Sequence, residues 1–149
     1  MPEAPASSFA VTHIGLVVPD IEACVRNYER IFGFKAPAIG MTDTAEKTHI
    51  LYKGKPTQAR VRLVHIPMGP IRVELLQPVD GPSVWRDALD RGGGVQHIAI
   101  HVKDGERELK ALEAAGMPLI QQGDYTGGRY TYVDSEKLLG VGLEFTENR

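Results

Sequence analysis

A strand of alternating apolar residues occurs twice in this chain, and each copy carries a histidine near its start. The first reads Val11-Thr12-His13-Ile14-Gly15-Leu16-Val17-Val18-Pro19-Asp20, the second Val95-Gln96-His97-Ile98-Ala99-Ile100-His101-Val102-Lys103-Asp104. Each ends at an aspartate followed by a helical pattern. An offset of 84 residues in a chain of 149 predicts one small unit used twice. Duplication brings equivalent residues to symmetric positions, so His13 and His97 are expected to face each other across a shared cavity.

The two halves run in the same order. Residues 9–80 form the first module, opening with a strand over Phe9–Val18. Asp20 then caps a helix whose apolar positions Ile21, Val25, Tyr28, Ile31 and Phe32 recur at helical spacing, and Gly33 ends it. Strands are expected over Thr48–Lys53, Arg60–Ile66 and Ile71–Gln77, with turns at Gly54-Lys55-Pro56 and Pro67-Met68-Gly69-Pro70. Residues 81–94 form a linker, in which Ser83–Arg91 reads as a short helix closed by three glycines. The second module, 95–149, repeats the plan. A strand over Val95–Val102 leads to Asp104 as cap, then to a helix with Leu109, Leu112 and Ala115 inward. Strands near Pro118–Gln121, Arg129–Val133 and Val141–Thr146 complete it. The fold class is α+β: two βαβββ modules in a curved, mostly antiparallel sheet around a cavity, with helices on the convex side. Residues 1–8 read as a disordered tail.

Composition excludes several classes of function. A net charge of −2 gives no electrostatic reason for a nucleic-acid or membrane partner. Cys24 is the single cysteine, which rules out an intrachain disulfide and a cysteine-based zinc site, and is read as a core residue of the first helix. No apolar run approaches the ~18 residues of a membrane span, and no secretory signal is evident. The expected setting is the cytoplasm.

Side chains alternate across a strand, which separates two faces. Ile14, Leu16 and Val18 oppose His13, Gly15 and Val17; Ile98, Ile100 and Val102 oppose His97, Ala99 and His101. Val73 and Leu75 oppose Arg72, Glu74 and Leu76; Val141, Leu143 and Phe145 oppose Gly142, Glu144 and Thr146. One face is bulky and must pack on helices. The other combines small residues with two histidines and two glutamates, and encloses a cavity. A single strand histidine or glutamate is ordinarily a packed or solvated residue. Four at symmetric places on one face are different, because two carboxylates converging in a cavity repel without a cation between them. His13, Glu74, His97 and Glu144 are therefore the expected metal ligands, suited to Zn, Co, Ni, Mn or Fe without a preference among them.

The runs His13-Ile14-Gly15-Leu16-Val17-Val18-Pro19-Asp20, Val73-Glu74-Leu75-Leu76-Gln77-Pro78, His97-Ile98-Ala99-Ile100-His101-Val102 and Gly142-Leu143-Glu144-Phe145 resemble the vicinal oxygen chelate superfamily (glyoxalase, bleomycin resistance, dioxygenase). The likeness covers nearly the whole chain after residue 8. Glu-Leu-Leu-Gln-Pro at 74–78 and Gly-Gly-Val-Gln-His-Ile at 93–98 bring it nearest the methylmalonyl-CoA epimerase branch. The resemblance implies the same four ligands. It also implies proton transfer at a carbon next to a carbonyl, with the metal stabilising the enolate charge and a carboxylate pair acting from two sides. Glu144 matches the member of that pair that is also a ligand. The second acid of the bacterial epimerases lies on the strand before that of Glu74. If Ile66 pairs with Ile71, Leu63 stands opposite Glu74, and leucine is no base.

That departure puts methylmalonyl-CoA in doubt and turns attention to His65, placed opposite Arg72 by the same pairing, and to His101. A histidine, which titrates near pH 6.5, is able to replace the missing base; a merely packed histidine is the alternative. Arg72 either pairs with a substrate carboxylate or neutralises Glu74. Residues 123–130 read as a loop at the cavity mouth from which Tyr125 and Arg129 contact substrate or simply form an exposed hairpin. Trp85 reads as a packing or dimer-interface residue, and His49 lies on a longer first hairpin. The expected function is that of a metal-dependent epimerase or racemase acting on an acyl-CoA or a cyclic ketone, in a homodimer. A glyoxalase I-type lyase is the alternative. A non-catalytic binding or resistance protein is a third reading, disfavoured by the intact quartet, and an extradiol dioxygenase is disfavoured by the extra glutamate.

Overall fold

The computed structural model describes residues 9–149; the tail expected over residues 1–8 lies outside them. One ten-stranded sheet carries the fold. In chain order the elements are β1 (Val11–Val17), α1 (Ile21–Phe32), β2 (Gly40–Met41), α2 (Ala45–Thr48), β3 (Leu51–Tyr52), β4 (Lys55–Pro56), β5 (Arg60–Met68), β6 (Ile71–Val79) and α3 (Val84–Asp90). They continue with β7 (Gly94–His101), α4 (Gly105–Ala114), β8 (Leu119–Tyr125), β9 (Gly128–Val133), α5 (Glu136–Leu139) and β10 (Gly142–Asn148). The strand order is β2-β5-β6-β1-β7-β10-β9-β8-β3-β4. The repeated strands β1 and β7 meet antiparallel at its centre, and each is flanked by its own module's last strand in parallel. The remaining pairs are antiparallel, so the α+β class and the mostly antiparallel sheet hold.

The alternation of each central strand decides what packs where. Leu16, Val18, Val73 and Leu75 turn away from the cavity and meet Ile21 and Val25 of α1, which Asp20 caps through the Ala23 N–H and Gly33 closes in a left-handed conformation. Ile98, Ile100, Leu143 and Phe145 do the same against Leu109 and Leu112 of α4, capped by Asp104. The linking helix α3 departs from this plan. Its Val84, Trp85 and Ala88 pack with Val17, Val61, Leu76, Tyr130 and Tyr132, on the cavity side of the sheet.

Four local expectations need correction. Ile31, Phe32 and Ala115 follow the helical period but lie exposed near the ends of their helices. The strand expected over Thr48–Lys53 shortens to β3, because α2 takes up residues 45–48. Its hairpin with β4 does not stay in the first module. Leu51 pairs with Gln122 and Tyr52 with Gln121, so the insertion extends the far edge of the second. Finally, β5 and β6 turn through Gly69-Pro70 alone, Gly69 taking φ +78°, rather than through four residues. The register moves by two, setting His65 opposite Glu74 and Leu63 opposite Leu76.

Candidate metal centre

Strand register delivers the four sequence-derived ligands to one point. His13 of β1 lies beside Arg72 of β6 and Ala99 of β7; His97 lies beside Gly15 of β1 and Gly142 of β10. The glycines are a steric condition. A Cβ at position 15 would stand 2.0 Å from the His97 ring, and one at 142 would stand 2.4 Å from the Gln96 carbonyl oxygen.

His13, His97 and Glu144 each present a donor atom within 4.8 Å of the others. The two Nε2 atoms are 3.1 Å apart, and Glu144 Oε1 is 3.3 Å from that of His13. Glu144 Oε2 stands 3.8 Å from His97 Nε2. Glu74 joins through Oε1, 3.5 Å from His13 Nε2 and 3.4 Å from His97 Nε2. All four side chains are buried.

The donor set fits a divalent cation on two grounds. Nitrogen and oxygen ligands at about 2.0–2.2 Å from a common ion, at octahedral or tetrahedral angles, stand about 2.8–3.6 Å apart. Four of the observed spacings, 3.1–3.5 Å, fall in that range, and the fifth, His97 to Glu144 at 3.8 Å, lies just above it. Glu74 Oε1 is also a buried oxygen without a hydrogen-bond partner, aimed at the point the other donors share. The chemistry of the donors thus fits a possible metal site, without choosing the metal.

Partners outside the quartet orient it. The His97 Nδ1–H donates to Gln96 Oε1 at 2.5 Å, which leaves the Nε2 lone pair directed inward. The His65 Nε2–H donates to Glu74 Oε2 at 2.5 Å. Burial alone would raise the Glu74 carboxyl; the hydrogen bond from His65 and the neighbouring imidazoles of His97 and His13 outweigh it and hold the group well below its ordinary range. On the other side the Trp85 Nε1–H donates to Tyr132 Oη at 3.0 Å, and Tyr132 stands opposite Glu144 across the β9–β10 pair. Burial, then the charges of Glu144 and Glu74, push that hydroxyl well above the usual tyrosine range. It remains a donor.

A cavity of about 550 Å³ opens from the quartet and includes His13, Glu74 and Glu144 in its lining. His65 lines it. His101 sits at its exposed margin, with its Nδ1 2.8 Å from Thr146 Oγ1. Arg72 lines it from an exposed position and makes no ion pair with Glu74 among the described residues, and Tyr125 is an exposed lining residue. Arg129 does not line it: on β9 it alternates with Tyr130, and its Nε lies 2.6 Å from Asp124 Oδ1. His49 contacts the same carboxylate from α2's end at 3.1 Å.

Trp85, Tyr130 and Tyr132 were absent from the sequence-derived site yet line the cavity. For the tyrosines the signal was available, since both share the alternation phase that register gives Glu144 opposite Tyr132. Trp85 is 2% exposed, which fits the packing reading and not the dimer-interface one.

The sequence matches the Glyoxalase/Bleomycin resistance protein/Dioxygenase superfamily over residues 12–133. The chain belongs to this superfamily. Among solved structures, this superfamily member is similar to a hypothetical protein from Bacillus halodurans C-125, at 25% identity over 96% of each chain, with a TM-score of 0.68. Methylmalonyl-CoA epimerase from Mycobacterium tuberculosis is 23% identical over 99% of this chain and 94% of its own, with a TM-score of 0.68. A Streptomyces coelicolor methylmalonyl-CoA epimerase variant in complex with 2-nitronate-propionyl-CoA is 22% identical over 95% and 96%, with a TM-score of 0.65. At these identities the two epimerases share the fold. No curated protein matches the sequence. No helix among the described residues is long and apolar enough to cross a membrane.

Proposed function

We propose that this superfamily member is a metal-dependent isomerase, an epimerase or racemase, moving a proton at a carbon next to a carbonyl. One observation carries the reading: a buried His2Glu2 quartet faces a cavity with His65 hydrogen-bonded to one of its carboxylates. The four ligands would be His13, Glu74, His97 and Glu144, and a bound divalent ion supplies Lewis-acid stabilisation of negative charge developing on a carbonyl oxygen.

The chain's own residues supply the proton handling. Glu74 Oε2 accepts from His65 Nε2–H, which fixes the tautomer and leaves Nδ1 as the basic nitrogen. His65 is therefore the base on the β5 side, at the register position where the sequence argument had set Leu63. Glu144 takes the β10 side, opposite Tyr132. Two proton carriers on opposite flanks are what inversion of a carbon centre requires. His101, bonded to Thr146 at the mouth, and Arg72 with Tyr125 are assigned to substrate entry and orientation. The partner is a small carbonyl compound, the setting cytoplasmic and the assembly a homodimer.

Deuterium incorporation at the α-carbon of acyl thioesters and cyclic ketones tests this, with the protein saturated in turn with Co2+, Zn2+, Ni2+ and Mn2+. Exchange in the wild type is expected, falling about 10²–10⁴-fold in His65→Gln and Glu144→Gln. His65→Gln should still bind metal, with a loss of about 10–100-fold in affinity. No exchange into either compound class with any metal would sink the reading.

A further inference from the structure

We infer that the cavity takes a compact substrate with an aryl or cyclic hydrocarbon body and not a coenzyme A thioester; this rests on the isomerase reading for the chemistry and on the walls of the cavity for the substrate. Beside the quartet, Trp85, Tyr130 and Tyr132 form a three-ring wall. Ring centroids are 5.8 Å apart for Trp85 and Tyr130, 6.1 Å for Trp85 and Tyr132, and 5.5 Å for the tyrosines, all tilted or edge-on.

The polar atoms of that wall are few and partly engaged. The indole N–H donates to Tyr132 Oη at 3.0 Å, and the Tyr130 hydroxyl accepts from Gln121 Nε2 at 3.4 Å. Trp85 and Tyr132 are each 2% exposed and Tyr130 9%, so the wall offers a guest a narrow strip of apolar ring surface, which Leu63 widens beside the buried Val61 and Leu76. A phosphate or other strongly hydrated group placed there would lose water for at most the two tyrosine hydroxyls, whereas a planar or alicyclic ring gains contacts with the rings.

Charge points the same way. Coenzyme A brings a diphosphate and a further phosphate, which proteins hold with lysine, arginine or helix N-termini. Among the described residues Arg72 is the one permanent cation lining the cavity, while Asp43 and Asp124 bring carboxylates to its margin. The cations behind that lining are engaged with it: Arg129 is paired with Asp124, Lys47 with Asp43, and Arg60 donates to the Thr42 carbonyl. A volume of about 550 Å³ accommodates a molecule of two fused or linked rings.

Trp85 is the only tryptophan in the chain, so its emission reports occupancy of this wall. The Co2+-loaded protein is titrated with 2-phenylcyclohexanone and, separately, with methylmalonyl-CoA. A saturable emission change with the ketone is expected, at an affinity at least tenfold above that for the thioester. Leu63→Arg, which sets a charge into the apolar region away from the quartet, should weaken the ketone at least tenfold and leave the Co2+ content unchanged. Tighter binding of the thioester, no saturable response to the ketone, or an unaltered ketone affinity in folded Leu63→Arg overturns the inference. The wild-type comparison decides the matter if that variant fails to fold. Deuterium exchange separates the two claims. Ketone binding without exchange upholds the substrate class and removes the isomerase reading; exchange into the thioester with stronger binding does the reverse.

Discussion

Replacing Gly15 by alanine adds one methyl group at the most crowded point of the site. Its Cβ would stand 2.0 Å from Cε1 of His97, 2.4 Å from Nδ1 and 2.5 Å from Nε2. Carbon atoms in ordinary contact stand about 3.5–4.0 Å apart, so the imidazole must retreat by roughly 1.5 Å. Metal–ligand distances tolerate only about 0.2 Å. His97 therefore ceases to be a ligand, and its bond to Gln96 breaks with it. Disturbing a group that merely orients a ligand costs about 10–100-fold in affinity; displacing the ligand itself should cost at least ~100-fold, or about 2.7 kcal/mol. His97 is fully buried, so the retreat also strains the core, by about 1–3 kcal/mol. Calorimetric titration with Zn2+ or Co2+ reads the affinity, and a thermal scan without metal reads the strain, expected as a fall of roughly 2–12 °C. Gly40→Ala is the control. Its Cβ meets nothing closer than the Leu63 carbonyl at 3.9 Å, so both readings should stay at wild-type values. Wild-type metal affinity in Gly15→Ala would refute the claim that His97 Nε2 is a ligand held in place by the missing side chain.

Metal addition should stabilise the wild type: at a hundredfold excess over Kd the gain is about 2.7 kcal/mol, or roughly 5–11 °C in Tm, reversed by EDTA. No shift with Zn, Co, Ni, Mn or Fe would contradict the metal centre. Trp85→Phe removes the donor to the buried Tyr132 oxygen and should lower stability by about 1–3 kcal/mol, measured by urea unfolding; an unchanged midpoint would show that this bond adds nothing. Asp124 is held below the ordinary aspartate range chiefly by its bond from Arg129, with a second from His49, against the opposing effect of burial. A depressed carboxyl contributes stability above the unfolded-state value near 3.9 and loses it as pH falls through the folded one. Asp124→Asn should therefore lower Tm by more at pH 7 than at pH 2–3, and an equal loss at both would assign the effect to packing instead.

The quartet was legible because its two determinants are local and periodic. Strand parity places His13, His97, Glu74 and Glu144 on one face whatever the register, and the repeat pairs them. Parity also protected the reading from its register error. The two-residue turn at Gly69-Pro70 slid β5 by two positions, an even number, so His65 and Leu63 kept their face while His65 took the place opposite Glu74 and Leu63 moved to Leu76. What parity does not carry was lost. The pairing of β3 with β8 joins an insertion of one module to the edge of the other, and nothing in residues 51–56 specifies which edge is free. Trp85 reached the cavity for a similar reason: α3 is amphipathic, but which side of the sheet it covers depends on the linker's path.

The corrected register reveals how a symmetric fold supports unsymmetric chemistry. His65 stands opposite Glu74 on the strand next to β6, and Tyr132 stands opposite Glu144 on the strand next to β10. The two positions are equivalent under the repeat, and each residue stands across from its module's carboxylate. Yet one is an imidazole, hydrogen-bonded to that carboxylate, and the other a hydroxyl that burial keeps protonated. The four side chains of the quartet would serve one ion from both sides. The pair behind them differs, and under the proposed function the proton is taken up on the β5 side. Exchanging the roles, His65→Tyr with Tyr132→His, would preserve the quartet and move the basic nitrogen across the cavity. If the assignment holds, the double variant should retain metal binding and exchange the opposite enantiomer of a chiral ketone faster than the wild type does.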